Sequence, residues 1–151
     1  MENQKEIISD LKGLINIVND GKIGYAEAVD NVKSESLKST FLELSNQRST
    51  FAEELKAHVL QHGGSSDNDE GGVLGVLHRA WLDIKDVFTS QDDSAILAAI
   101  STAEKTALAK YDEVLKNYRD HADHYALLSR QREGIASALS KIETLEVQYQ
   151  D

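Results

Sequence analysis

The chain has 151 residues, neither cysteine nor proline, and a formal net charge of −10. This length suits one domain, and the lack of cysteine excludes disulfides, thiolate metal sites and a cysteine nucleophile. The acidic charge is spread along the chain without a basic cluster, so we expect no nucleic-acid partner.

The N-terminus and the hydropathy of the chain predict a cytoplasmic protein that does not bind a membrane. The opening residues, MENQKEIISDLKG, lack the basic and apolar regions of a signal peptide. No apolar stretch of the sequence reaches the length that is needed to cross a bilayer.

The N-terminal half predicts an all-α fold that opens with two amphipathic helices. Residues that favour helices dominate, and aromatic residues make up only 6% of the chain. The first predicted stripe alternates spacings of four and three residues: Ile7, Leu11, Leu14, Val18, Gly21, Tyr25 and Ala28. The second stripe has the same rhythm and ends before Gly63 and Gly64: Leu37, Phe41, Leu44, Arg48, Phe51, Leu55 and Val59.

A long connection follows the second helix. Residues 63–72, GGSSDNDEGG, contain only glycine, serine, asparagine and acidic residues, which predicts an exposed loop. Apolar residues at helical spacing around Trp81 then predict a short crossover helix over residues 73–88.

Two further helices complete the predicted bundle. The third stripe consists of Leu97, Ile100, Glu104, Ala107, Tyr111, Val114 and Tyr118. The fourth consists of His121, Tyr125, Leu128, Arg132, Ile135, Leu139, Ile142 and Tyr149. Two helical hairpins joined by one long crossover have ferritin-like connectivity. We therefore predict that residues 1–151 form a single ferritin-like four-helix domain.

An imperfect repeat places two arginines on these apolar stripes. LSNQRSTFAEEL at residues 44–55 returns as LSRQREGIASAL at residues 128–139. A guanidinium stays protonated and has no lone pair for a metal. Arg48 and Arg132 therefore either form a buried cluster with an acidic partner or bury their methylene groups and extend their charged groups to the surface.

Comparison with ferritin-like di-iron proteins indicates Glu104 as the acidic partner of the two arginines. Those proteins combine single glutamates with Glu-x-x-His pairs on facing helices. Glu104 precedes Tyr111 by seven residues, as the single glutamate commonly does, whereas the Glu-x-x-His positions fall on Arg48 and Arg132. We predict an Arg48–Glu104–Arg132 cluster in place of the di-iron site, with the hydroxyls of Tyr25 and Tyr111 as hydrogen-bond partners.

The whole chain resembles bacterial four-helix-bundle proteins of unknown function in the ferritin-like superfamily. The resemblance depends most on LELSNQRSTFAEEL and LHRAWLDIK, and it also includes LINIVNDGKIGYAEAV. It implies the fold and assigns no chemistry.

Histidines provide an alternative site at one end of the predicted bundle. His58 and His62 share a helix face one turn after Glu54, and His121 and His124 begin the fourth helix. These five side chains could bind Zn²⁺ or another divalent ion. Alternatively, the histidines are interfacial or capping residues.

The sequence contains no G-x-S-x-G, H-E-x-x-H or phosphate-binding glycine motif. We therefore expect a non-enzymatic structural or interaction module without a cofactor or catalytic residues, which forms a homo-oligomer or binds a protein partner. The alternative hypothesis is a metal-binding or redox protein that uses the histidine cluster.

Overall fold

The computed structural model describes residues 4–64, 92–119 and 122–149. These residues form four helices and, within those ranges, no strand: α1 (Gln4–Asn31), α2 (Glu35–Gln61), α3 (Asp93–Lys116) and α4 (Ala122–Gln148). The predicted all-α class is thus confirmed. Most of the predicted loop and the whole predicted crossover helix lie outside the described residues. Among the described helices, none combines the length and apolar character that a transmembrane span requires.

Local sequence signals set the boundaries of α2. At its start, the hydroxyl of Ser34 accepts a hydrogen bond from the backbone N–H of Leu37 at 3.2 Å. At its end, the N–H of Gly64 donates to the carbonyl of Val59 and the N–H of Gly63 donates to that of Leu60. Gly63 has a φ of +87°, so α2 closes with a Schellman motif that favours glycine.

The turn between α1 and α2 is held by Asp93 and Tyr149. Backbone N–H groups of Lys33 and Ser34 donate to the two carboxylate oxygens of Asp93 at 2.9 and 3.1 Å. The hydroxyls of Ser34 and Tyr149 lie 2.8 Å apart. The first turn of α3 and the end of α4 therefore meet this turn at one end of the bundle.

The apolar stripes of α1, α2 and α3 pack together as the sequence predicts. Every residue predicted for these three stripes is buried, including the charged Arg48 and Glu104. α1 packs along α2, α3 packs along α4, and α1 also contacts α3. The core of the bundle lies between these faces.

The stripe of α4 differs from the prediction at Tyr125 and at Arg132. Its buried residues are His124, Leu128, Gln131, Ile135, Ala138, Leu139 and Ile142. Tyr125 is 40% exposed, and Arg132 is half-buried, whereas His121 lies outside the described residues. Positions 131 and 132 both fit helical spacing, and the neutral amide of Gln131 costs less to bury than a guanidinium.

Candidate functional site

The middle of the bundle contains a buried ion pair between α2 and α3. Arg48 is 1% exposed and Glu104 is 0% exposed. The Arg48 guanidinium donates from Nη1 to Oε1 of Glu104 at 2.8 Å and from Nη2 to Oε2 at 2.5 Å. Both carboxylate oxygens are thus bound by one guanidinium, which is the strongest geometry for such a pair.

Two further side chains complete this mid-bundle cluster, which we define as Arg48, Glu104, Tyr25 and Gln47. The hydroxyl of Tyr25 donates to Oε2 of Glu104. The Tyr25 ring centroid lies 5.5 Å from the guanidinium carbon of Arg48, within cation–π range. Nε of Arg48 donates to Oε1 of Gln47 at 3.1 Å. Three helices therefore contribute to the cluster.

The electrostatics of the cluster keep Arg48 charged and Tyr25 neutral. Burial acts to lower the pKa of Arg48, but the charge and hydrogen bonds of Glu104 raise it above its ordinary value. Burial and then the negative charge of Glu104 raise the pKa of Tyr25 well above its ordinary value. At neutral pH, Arg48 is therefore a cation and the Tyr25 hydroxyl keeps its proton.

Tyr111 is buried, but its hydroxyl bonds outside the mid-bundle cluster. It donates to Oε1 of Gln131 at 2.7 Å. Nε2 of Gln131 in turn donates to the carbonyl of Phe51 at 3.2 Å and to Oε1 of Glu54 at 3.0 Å. Burial raises the pKa of Tyr111. Gln131, which the predicted stripes do not include, therefore links α3, α4 and α2.

Arg132 lies outside the mid-bundle cluster, which corrects the predicted three-residue group. Its Nε donates to Oδ1 of Asp112 at 2.8 Å, and its Nη1 donates to Oε2 of Glu133 at 3.1 Å. The side chain is 30% exposed. The hydrogen bond that Arg132 donates to Asp112 raises the pKa of Arg132, although burial opposes the shift. Of the two arginines of the repeat, Arg48 thus forms a buried ion pair, whereas Arg132 extends its charged group to the surface.

A second polar group lies where the end of α2 meets the start of α4. We call this group the histidine end; it consists of His58, His62, Asp123 and His124. One ligand atom from each side chain lies within 4.8 Å of all the others. Nε2 of His58 is 2.7 Å from Nδ1 of His124, and Nε2 of His62 is 3.0 Å from Oδ2 of Asp123.

The histidine end differs in membership from the predicted group. Glu54 is not part of it and instead contacts Gln131 and Nη2 of Arg130, the latter at 3.2 Å. His121 lies outside the described residues. Asp123 was missed, although its position beside His124 in the first turn of α4 could have indicated it.

The pKa shifts of His58 and Asp123 favour the forms of these two side chains that coordinate metals. Burial, followed by the charges of His124 and His62, lowers the pKa of His58. Burial acts to raise the pKa of Asp123, but the backbone N–H of His124 and the neighbouring histidines hold it below its ordinary value. A neutral imidazole and an ionised carboxylate are the forms that bind metals.

Comparison with curated proteins found no match. A family described as "Domain of unknown function (DUF2383)" matches residues 6–117. This match includes α2 and α3 with both partners of the buried ion pair, and it stops before Asp123 and His124. The chain belongs to this family of domains of unknown function, DUF2383.

Proposed function

We propose that the protein is a ferritin-like scaffold, a non-enzymatic structural or interaction module in which the mid-bundle cluster stands in place of a di-iron site. The observation that carries this proposal is the bidentate ion pair between Arg48 and Glu104. A carboxylate whose two oxygens are both bound by a guanidinium is poorly placed to bridge metal ions.

The contacts between helices support ferritin-like connectivity. α1 packs along α2 and α3 along α4, as two hairpins would. Tyr25 contacts Glu104, while the hydroxyl of Tyr118 donates to Asp10 at 2.6 Å. These two contacts run in opposite directions along α1 and α3. Helices α2 and α3 therefore run parallel, which is the relation that ferritin-like connectivity requires of these two helices.

The charge at the centre also disfavours iron. Arg48 supplies a permanent positive charge beside Glu104, so an added cation would meet repulsion and would first have to displace the guanidinium. In the register of the di-iron proteins, the positions of the two Glu-x-x-His glutamates hold Arg48 and Arg132 in this chain. At these two positions of α2 and α4, guanidinium groups therefore stand where those proteins have iron-binding carboxylates.

Iron content and iron oxidation test the proposed replacement. Protein without a histidine tag, purified from iron-supplemented cells, is expected to retain no iron that depends on Glu104 and to oxidise added Fe²⁺ no faster than buffer. The control is Glu104→Gln, which removes the carboxylate charge. Stoichiometric iron in the wild type that Glu104→Gln abolishes would overturn the proposal.

A module of this kind acts through its surface, so the proposal includes self-association or binding to another protein. Ile23 and Leu42, on neighbouring helices of the first hairpin, are each 54% exposed. Sedimentation of the wild type and of an Ile23→Ser/Leu42→Ser variant tests their role. An assembly that the double substitution dissociates supports this part of the proposal, and a wild-type monomer that captures no partner contradicts it.

A second candidate function is favoured by the histidine end. Three imidazoles and one carboxylate that converge within 4.8 Å form a plausible coordination shell. This function is metal binding at one end of the bundle, and it is independent of the mid-bundle cluster.

A further inference from the structure

We infer that the histidine end binds one Zn²⁺ ion in a tetrahedral site, with His58, His62 and His124 as nitrogen ligands and Asp123 as the oxygen ligand. The ion would join the end of α2 to the start of α4. This inference rests on the second candidate function and extends it by naming the metal class, the ligands and the structural consequence.

The spacing of the ligand atoms fits this geometry after small movements. Zinc bonds of about 2.0–2.1 Å in a tetrahedron place neighbouring ligands about 3.3 Å apart. The His58–His124 and His62–Asp123 pairs, at 2.7 and 3.0 Å, are slightly closer than this. The other separations reach at most 4.8 Å. His62 and Asp123 are the more exposed members, so side-chain rotation can close the shell.

The backbone fixes two of the ligands at the C-terminal end of α2, where His62 is the C-cap residue. His58 and His62 are four residues apart and therefore lie on one helix face. The Schellman motif at Gly63 and Gly64 follows His62 directly. A Cβ atom at Gly64 would lie 2.8 Å from Cγ1 of Val59 and 3.0 Å from Cγ2 of Ile8. This tight packing holds the C-terminal turn of α2 in place.

The other two ligands come from the first turn of α4. Oδ1 of Asp123 accepts the backbone N–H of His124 at 2.8 Å, and Oδ2 is directed to His62. The ring of Tyr118 packs edge-on against His124 with centroids 5.6 Å apart. Asp123 is thus oriented by a backbone hydrogen bond, and His124 by an aromatic neighbour, before any ion binds. Such outer contacts commonly orient metal ligands.

The chemistry of the donor set selects the metal class. Mg²⁺ and Ca²⁺ prefer six or more oxygen ligands, and here a single carboxylate accompanies three imidazoles. Imidazole suits Zn²⁺ and the later first-row divalent ions, and a four-ligand tetrahedral shell is typical of structural Zn²⁺. The four ligands fill that shell, so the ion would stabilise the bundle and would not present an open position for catalysis.

Calorimetric titration of ZnCl₂ into chelator-treated, untagged full-length protein tests the site. We expect one Zn²⁺ per chain. The His62→Ala and His124→Gln variants are expected to weaken binding at least about 100-fold, because each loses a direct ligand. Glu53→Gln, on the exposed face of α2, is the matched control and should bind as the wild type does. Circular dichroism identifies any variant that has not folded, and His62→Ala serves as the conservative test because His62 is partly exposed.

Thermal unfolding provides a second readout. Zn²⁺ should raise the unfolding temperature of the wild type and of Glu53→Gln, and should not raise that of His62→Ala. Co²⁺ in place of Zn²⁺ should give the intense visible absorption of a tetrahedral site. Absence of stoichiometric binding, or equal affinity in His62→Ala and the wild type, would overturn the inference. Neither result would affect the mid-bundle proposal, which fails only if Glu104-dependent iron is found.

Discussion

The mid-bundle cluster and the histidine end both place polar side chains between helices, but they balance charge in opposite ways. At mid-bundle, the cation belongs to the chain, because the Arg48 guanidinium binds both oxygens of Glu104. At the histidine end, the side chains offer electron pairs and the negative charge of Asp123. One bundle thus pairs a buried carboxylate with its own cation at its centre and gathers imidazole and carboxylate groups at its end.

The largest expected effect follows from removing the central cation. Arg48→Met leaves Glu104 buried without its partner, so the free energy of unfolding should fall by about 3–5 kcal/mol. Arg132→Met is the matched control from the other copy of the repeat. Because Arg132 is 30% exposed, its loss should cost less than about 1 kcal/mol. Urea unfolding of both variants measures the difference, and equal losses would show that Arg48 is not specifically paired in the core.

Removing both charges sharpens the same comparison. Arg48→Met combined with Glu104→Met replaces the buried ion pair with apolar side chains, and Tyr25→Phe removes the hydroxyl that would lose its acceptor. This triple variant should recover about 2 kcal/mol or more of the stability lost in Arg48→Met alone, since the unpaired buried charge is gone. Urea unfolding, measured separately for the triple variant and for Arg48→Met, tests this recovery. A triple variant that is less stable than Arg48→Met would contradict it.

A smaller effect is expected between the two regions, at Gln131. Gln131→Leu removes the acceptor of the Tyr111 hydroxyl and the donor to the carbonyl of Phe51. The free energy of unfolding should fall by about 1–3 kcal/mol, because buried polar groups then lack partners. Arg130→Leu on the same helix is the control and should have a much smaller effect. If the two substitutions have the same cost, Gln131 is not the link between α2, α3 and α4.

The pH dependence of the buried tyrosines provides the mildest test. Burial raises the pKa of Tyr25 and of Tyr111, so both remain neutral in the folded state. Their contribution to stability should be fully present below the ordinary tyrosine value of about 10 and should fall as pH rises beyond it. Ultraviolet difference titration should show their ionisation only together with alkaline unfolding. Ionisation while the helical circular dichroism is intact would contradict their burial.

The sequence predicts the helical stripes well where apolar residues leave one choice of register. In α1, α2 and α3, alternating spacings of four and three residues identify the buried face, including Arg48 and Glu104. In α4, Gln131 and Arg132 are adjacent polar residues between Leu128 and Ile135, so spacing alone permits either one. Tertiary hydrogen bonds to Gln131 decide the register, and periodicity cannot reveal these.

The two candidate sites also differ in how much of each the sequence predicts. The contact of Tyr25 with Glu104 and Arg48 joins three helices, yet it follows from stripe positions that the sequence displays. Asp123 is different, because its role depends on the meeting of α2 and α4 in space. A single acidic residue in the first turn of a helix is common as a favourable partner of the helix dipole. Its place beside His124 in the sequence makes it a candidate, but its proximity to His62 is seen only in the structure.

Anomalous diffraction at the iron and zinc edges, from crystals grown with both ions, shows whether the chain's own arginine or a metal ion occupies the centre of the bundle. We predict no anomalous peak beside Glu104 and one zinc peak among His58, His62, Asp123 and His124. A metal peak beside Glu104, with the Arg48 guanidinium displaced from the carboxylate, would show instead that a metal ion is the partner of Glu104.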